Sequence, residues 1–248
     1  LVDAFRRRGL KIGLYHSLVD WTHPHYVPDK LHPRGKDGKT DFPERDMRQY
    51  ARYLYGSVEQ LMTGYGKIDL LFWDFCSEWK KPEDFDPERL LAMIHRHQPE
   101  IIINDRMSVN RMSQFGDYRT PVVAVPNVPP RLYGKQTPWE TCGTMNGCWG
   151  YVDLPVNRPT DSFSTALAAC VAKDGNLLLN VGPDALGRIP QGSAEALRQL
   201  GKWHDWAGEA IHGCGASGFK APDGYFYTQR GHELDLHLPF VPLGDVLL

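Results

Sequence analysis

Apolar residues fall along this 248-residue chain in two alternating rhythms. Short apolar runs occur at Lys11-Ile12-Gly13-Leu14-Tyr15-His16, at residues 68–73, at Ile101-Ile102-Ile103 and at Leu177-Leu178-Leu179, with a weaker one over 139–145. Such runs suit strands covered on both faces. Between them, apolar residues recur three and four positions apart, the period of a helix with one buried face. Met47, Tyr50, Ala51, Leu54, Val58, Leu61 and Met62 predict a long helix ended by Gly64 and Gly66. Pro87 opens a second, with Leu90, Leu91 and Ile94 facing inward. Ser162 is placed as the cap of a third, carrying Phe163, Leu167, Cys170 and Val171. A fourth covers 192–207, with Leu197, Leu200 and Trp203 on one face, and a short one covers 1–8 before Gly9. Residues 21–40 and 107–138 are read as irregular, and short alternating strands are expected from Gly213 onward.

Buried strands alternating with amphipathic helices predict an α/β fold built of parallel βα units. A doubly wound sheet and a barrel both satisfy that pattern. The strand ends favour the (β/α)8 barrel, because each apolar run closes in polar groups: Tyr15-His16-Ser17, Asp74, Asn104-Asp105-Arg106, Glu140 and Asn180. In a barrel those ends converge on one mouth. Neither a GxGxxG turn nor a P-loop is present, which removes weight from nucleotide-binding sheets. Only five of the eight strands of a barrel are read, so the expected barrel is incomplete.

Composition narrows the partners. The chain is 42% hydrophobic and 23% charged with net charge −2, a globular profile. Its densest basic run is Arg6-Arg7-Arg8, so neither nucleic acid nor an anionic membrane is expected as a partner. No apolar stretch reaches the roughly 20 residues that span a bilayer. The five cysteines show no zinc-like spacing, and most read as small buried residues in preference to a disulfide framework. His23 with His25, and His95 with His97, lack the carboxylate or thiol company of a metal site and are read as surface pairs.

Asp74 ends the run Leu70-Leu71-Phe72-Trp73 and combines a strand-end carboxylate with aromatic neighbours. That pairing suits a glycosidase nucleophile, and equally an Asp that turns the chain. Glu140, in Trp139-Glu140-Thr141-Cys142, is a second carboxylate on a second strand, as two-carboxylate glycoside chemistry requires. The alternative is a structural partner for an arginine. Asn104-Asp105-Arg106 offers hydrogen bonds to sugar hydroxyls or a buried ionic network. Tyr15 and His16 are ligand-contact candidates at the first strand end, and a lone His there is equally a satisfied core residue.

Five ordered segments resemble the α-L-fucosidases of glycoside hydrolase family 29. They are Gly13-Leu14-Tyr15-His16-Ser17, Leu71-Phe72-Trp73-Asp74, Asn104-Asp105-Arg106, Trp139-Glu140-Thr141-Cys142 with Trp149-Gly150-Tyr151, and Gly175-Asn176-Leu177-Leu178-Leu179-Asn180-Val181-Gly182-Pro183. The resemblance implies a retaining exo-glycosidase, without cofactor or metal, releasing terminal α-L-fucose from oligosaccharides or glycoconjugates. It implies Asp74 as nucleophile, sugar contacts from Tyr15 and Arg106, and Phe72 beside the sugar. His16, Trp73 and Trp139 are added as substrate-binding candidates and Glu140 as the acid/base candidate. It also implies a partial catalytic barrel over 1–212 and the start of a β-sandwich over 213–248. Two departures stand out. Where the family carries Thr-Pro-Glu after a Gly-Asp-aromatic motif, this chain reads Gly116-Asp117-Tyr118-Arg119-Thr120-Pro121-Val122. Valine transfers no proton, so Glu140 is proposed for the acid/base and Asp117 held in reserve. The early strands with a His-His-Asp-Gly motif have no counterpart here. A homo-oligomer is therefore expected, its neighbours covering exposed strand edges. The competing readings are a silent relative that only binds fucosylated glycans, and a non-functional truncation of a larger enzyme.

Overall fold

A computed structural model of the chain describes residues 1–28, 32, 44–75, 85–107, 115–122, 124–132, 134–153 and 158–240. Cys76 and parts of both loops read as irregular lie outside the described residues. The chain divides into two compact units, Leu1–Tyr118 and Arg119–Leu248.

The first unit is a parallel three-stranded sheet packed against helices. Helix α1 (Val2–Arg6) precedes strand β1 (Gly13–Ser17), then helix α2 (Met47–Gly64), strand β2 (Leu70–Asp74), helix α3 (Pro87–His97) and strand β3 (Ile102–Ile103). The sheet order is β1-β2-β3, with Gly13 opposite Leu70, Ser17 opposite Asp74 and Leu71 opposite Ile103. The predicted periods explain the helices. Tyr50, Leu54, Val58 and Met62 of α2 are buried along one stripe, as are Leu90, Met93 and Ile94 of α3. They close on Leu71, Trp73 and Ile103 from the strands and on Ile12 and Ile68, which lead into β1 and β2. Asp46 and Asp86 cap α2 and α3, accepting the Arg48 and Arg89 amides at 2.9 and 3.3 Å. His95, Arg96 and His97 end α3, where cations suit the helix dipole.

Beyond β3 the ladder continues by other means. Asn104, fully buried, donates Nδ2 to the Trp73 carbonyl at 2.9 Å and accepts the Trp73 amide at Oδ1, 2.8 Å. One side chain thus satisfies both backbone groups just before Asp74. Asp117 holds β3 from its other side. Its amide donates to the Ile103 carbonyl at 2.7 Å, its carboxylate accepts the Ile103 amide at 2.8 Å, and Tyr118 bridges in parallel to Asn104. Gly116 makes this approach workable, with φ +127° and the Asn104 carbonyl oxygen 2.7 Å from where a Cβ would stand.

Among its described residues the second unit holds three separate small sheets. Strands β4 (Arg131–Leu132) and β5 (Lys135–Gln136) form a hairpin. Strand β6 (Trp139–Thr144) pairs in parallel with β7 (Gly175–Asn180) across helix α4 (Thr160–Val171). Helix α5 (Gln191–Ala207) and a 3-10 turn (Gly208–Ala210) lead to antiparallel β8 (Gly215–Ala216), β9 (Phe226–Arg230) and β10 (Glu233–His237). Met145, Phe163 and Ala196, with Leu179, Val181, Leu197 and Leu200, form its core. Arg119 and Val122 bridge in parallel to Trp139 and Cys142. The stretch read as wholly irregular therefore contains parallel pairing, hidden by its proline-rich, weakly apolar composition. Ser162 is not the cap of α4. The helix starts two residues earlier, and the Ser162 hydroxyl donates to the Pro159 carbonyl at 2.7 Å. Among the described residues the strands form a partial parallel sheet and no closed barrel.

Candidate active site

The carboxyl ends of β1 and β2 lie side by side in register, and alternation along a strand sorts their side chains by face. Tyr15, Ser17, Phe72 and Asp74 share one face; His16 and Trp73 share the other. On the first face Asp74 is the centre. Its Oδ1 accepts Arg106 NH1 at 2.7 Å, and its Oδ2 accepts the Tyr15 hydroxyl at 3.1 Å. The Arg106 side chain is 6% exposed and that of Asp74 29%, so the carboxylate faces outward above a buried guanidinium. The Arg106 guanidinium lies over the Phe72 ring, 4.9 Å from its centroid, and Tyr15 stacks against Phe72 at 6.1 Å and 18°. Burial raises the Tyr15 phenol above its ordinary value, so it stays a hydrogen-bond donor across the physiological range. Ser17 shares this face with Tyr15 and Asp74 and had no role in the sequence reading. Its period-two spacing from Tyr15 was the available signal.

The chain turns sharply past Asp74. Phe75 takes φ 56°, a left-handed conformation unusual for a bulky residue. The Asp74 carbonyl accepts the Leu18 amide at 2.9 Å, tying the β2 end to the β1 end. The carboxylate is thus oriented by two side chains on a backbone held from both sides.

The remaining candidates sit elsewhere. His16 points toward α2, its Nδ1 2.7 Å from the Ser17 carbonyl and its Nε2 3.3 Å from the Ser57 hydroxyl. A carbonyl only accepts, so Nδ1 donates and Nε2 accepts from Ser57. Burial holds this imidazole below its ordinary value, hence neutral. Trp73 packs edge-on to His16 at 5.5 Å and is fully buried. Expected as substrate contacts, both instead support the layer behind the sheet. Trp139 is likewise corrected. It is fully buried in the second unit, donating Nε1 to the Lys173 carbonyl at 3.1 Å, with its ring against Gly175.

Glu140 is half-buried at the second position of β6, its amide donating to the Arg119 carbonyl at 2.9 Å. Four residues separate it from the carboxyl end of β6, on the order of 13 Å at the strand rise. A group working over the carboxyl ends of parallel strands belongs at the other end of β6. Val122 presents no ionisable group, and Asp117 is engaged by the Ile103 amide. At the carboxyl end of β7 stand two aromatics to which the sequence reading gave no role. Trp149 and Tyr151 are about half exposed, at 49% and 50%. Asn180 Nδ2 donates to the Trp149 carbonyl at 2.8 Å, and Gly182 packs so closely on Gly150 that no side chain fits there. His23 stacks on Tyr53 at 4.5 Å, a packing role. Among the described residues no cluster of three metal-binding side chains occurs, and no helix is long and apolar enough to cross a membrane.

A family model described as alpha-L-fucosidase matches residues 1–209. Tissue alpha-L-fucosidase of Mus musculus is 32% identical over 84% of this chain and 44% of its own length. That of Macaca fascicularis is 30% identical over 96% of this chain and 50% of its own. The structure of alpha-L-fucosidase isoenzyme 1 from Paenibacillus thiaminolyticus superposes with a TM-score of 0.86 at 38% identity, covering 94% of this chain and 57% of that one. The chain spans about half the length of the curated relatives it matches. With a family match over most of the sequence and a similar solved structure over nearly all the chain, this protein belongs to the α-L-fucosidase family.

Proposed function

We propose that this chain carries the nucleophile half of a retaining α-L-fucosidase of (β/α)8-barrel type. Residues 1–212 would be its share of the catalytic barrel and 213–248 the start of a C-terminal β domain. The observation that carries the reading is Asp74: a strand-end carboxylate, partly exposed and fixed by Tyr15 and Arg106. In the first step Asp74 attacks the anomeric carbon of a terminal α-L-fucosyl unit, and the bond to the leaving oxygen breaks. In the second, water releases fucose from the ester, restoring the starting configuration. Tyr15 and Arg106 hold the nucleophile at the angle of attack, and orientation of this kind contributes a large share of catalysis. Phe72 gives the sugar an apolar wall. The substrate is a fucosylated oligosaccharide or glycoconjugate. A 2-fluorinated fucoside with a good leaving group tests the reading. Mass spectrometry is expected to find one labelled peptide, modified at Asp74, and a label elsewhere overturns the assignment. Proton NMR of the first-formed product is expected to show α-L-fucose, and initial β-L-fucose excludes retention.

Val122 favours a second reading. With valine in the family's usual acid position and Glu140 near the amino end of β6, the chain acts as a fucosylated-glycan binder with impaired turnover. Val122→Glu separates the two. A rise in natural-glycan hydrolysis on the order of 10²–10⁴, the usual worth of general acid catalysis, supports impairment. Unchanged rates support a proton donor already present elsewhere.

A further inference from the structure

The outer groove between α2 and α3, about 460 Å³ in volume, gathers three guanidinium groups. Arg48 and Arg52 stand one turn apart on α2, and Arg89 comes from the first turn of α3. Like charges collected in a concavity repel one another and concentrate anions there. Two carboxylates line the groove, and both are engaged. Asp46 accepts the Arg48 amide and its guanidinium, the latter at 3.3 Å, while Asp86 accepts the Arg89 amide. Among the described residues neither Arg52 nor Arg89 has a carboxylate partner.

Tyr55 organises this charge. Arg89 lies over its ring, 4.7 Å from the centroid, and Arg96 NH2 reaches its hydroxyl at 3.4 Å. Arg89 is thereby held at the groove in the free protein, which lowers the ordering cost of binding. A planar guanidinium fork matches the oxygens of a tetrahedral oxyanion. Phe85, packed against Tyr50, forms an apolar end wall.

We propose that this groove is a binding site for a sulfate or phosphate group, free or borne as an ester on a sugar. The site is separate from Asp74 and stands whether or not the chain hydrolyses fucosides.

The test is calorimetric titration of the whole chain at constant ionic strength with inorganic sulfate, galactose 6-sulfate and neutral galactose. Saturable binding of at least one sulfated probe is expected, with none for galactose. The double variant Arg52→Gln/Arg89→Gln is expected to bind at least tenfold more weakly. Both side chains are exposed, so the core is untouched and the variant should melt at the wild-type temperature. Tighter binding of the sugar ester than of inorganic sulfate assigns the groove to a glycan-borne group, and equal binding assigns it to the free anion. Absence of saturable binding to both sulfated probes, or unchanged binding in the double variant, overturns the proposal.

Discussion

Asp74 receives two hydrogen bonds of different kinds, and removing each has a different consequence. Tyr15→Phe deletes one donor to a carboxylate, a bond worth about 1.5–3 kcal/mol, and leaves Arg106 in place. We expect kcat/KM on an aryl fucoside to fall roughly 10- to 150-fold by that figure, and an unchanged value would remove Tyr15 from the site. Asn104→Leu acts on the backbone instead. It strands the Trp73 amide and carbonyl in the interior, at a cost of roughly 2–5 kcal/mol. Denaturant titration should show that loss. Of these residues, Asp74 and Tyr15 stand out in the sequence as polar groups at strand ends, whereas Phe72 and Arg106 enter as candidates through the family resemblance. Asn104 was legible only as polar. Its use as a substitute ladder rung depends on a partner 31 positions away, and no local pattern carries that. His16, Trp73 and Trp139 were misplaced because an aromatic at a strand end reads the same whichever face it occupies.

The elements were more legible than the site. The helical stripes of α2 and α3 follow from spacing alone, and β1, β2 and β7 from apolar runs. The pairing around Tyr118, Arg119 and Val122 escaped because it rests on isolated bridges among prolines and arginines, with no run to detect. Its dependence on Gly116 gives a prediction. Gly116→Ala forces a side chain into the Asn104 carbonyl at a backbone angle only glycine adopts freely, and should destabilise the first unit by roughly 2–4 kcal/mol. A melting temperature equal to wild type would contradict the geometry. The β1–α2 contact also sets a pH dependence. Burial keeps His16 below its ordinary value, so the unfolded chain binds its proton more readily. Stability from this residue is present above about pH 6.5 and is lost as pH falls toward the folded value. His16→Asn should flatten that part of the stability curve, and an unaltered slope would show the imidazole to be indifferent.

At the scale of the molecule, β1 is one edge of the first sheet among the described residues, and an open edge offers unpaired backbone groups to another chain. We propose that a second copy covers it, giving a homo-oligomer. Light scattering on the purified chain should return a multiple of the single-chain mass, and a monomer at every concentration sinks the idea. The α/β architecture was legible as alternating strands and helices, whereas the division at Tyr118 was not, since no linker-like composition marks it. That division bears on how the protein is made. Tyr15, Asp74 and Arg106 all precede residue 119, so they are synthesised before any of the second unit and leave the ribosome before that unit is complete. At the usual 5–20 residues per second, the remaining stretch takes roughly 6–26 s. Sheet and helix formation is faster by orders of magnitude. Asp74 should therefore meet its guanidinium on a nascent chain, and arrested chains released with only the first unit outside the exit tunnel should already resist protease.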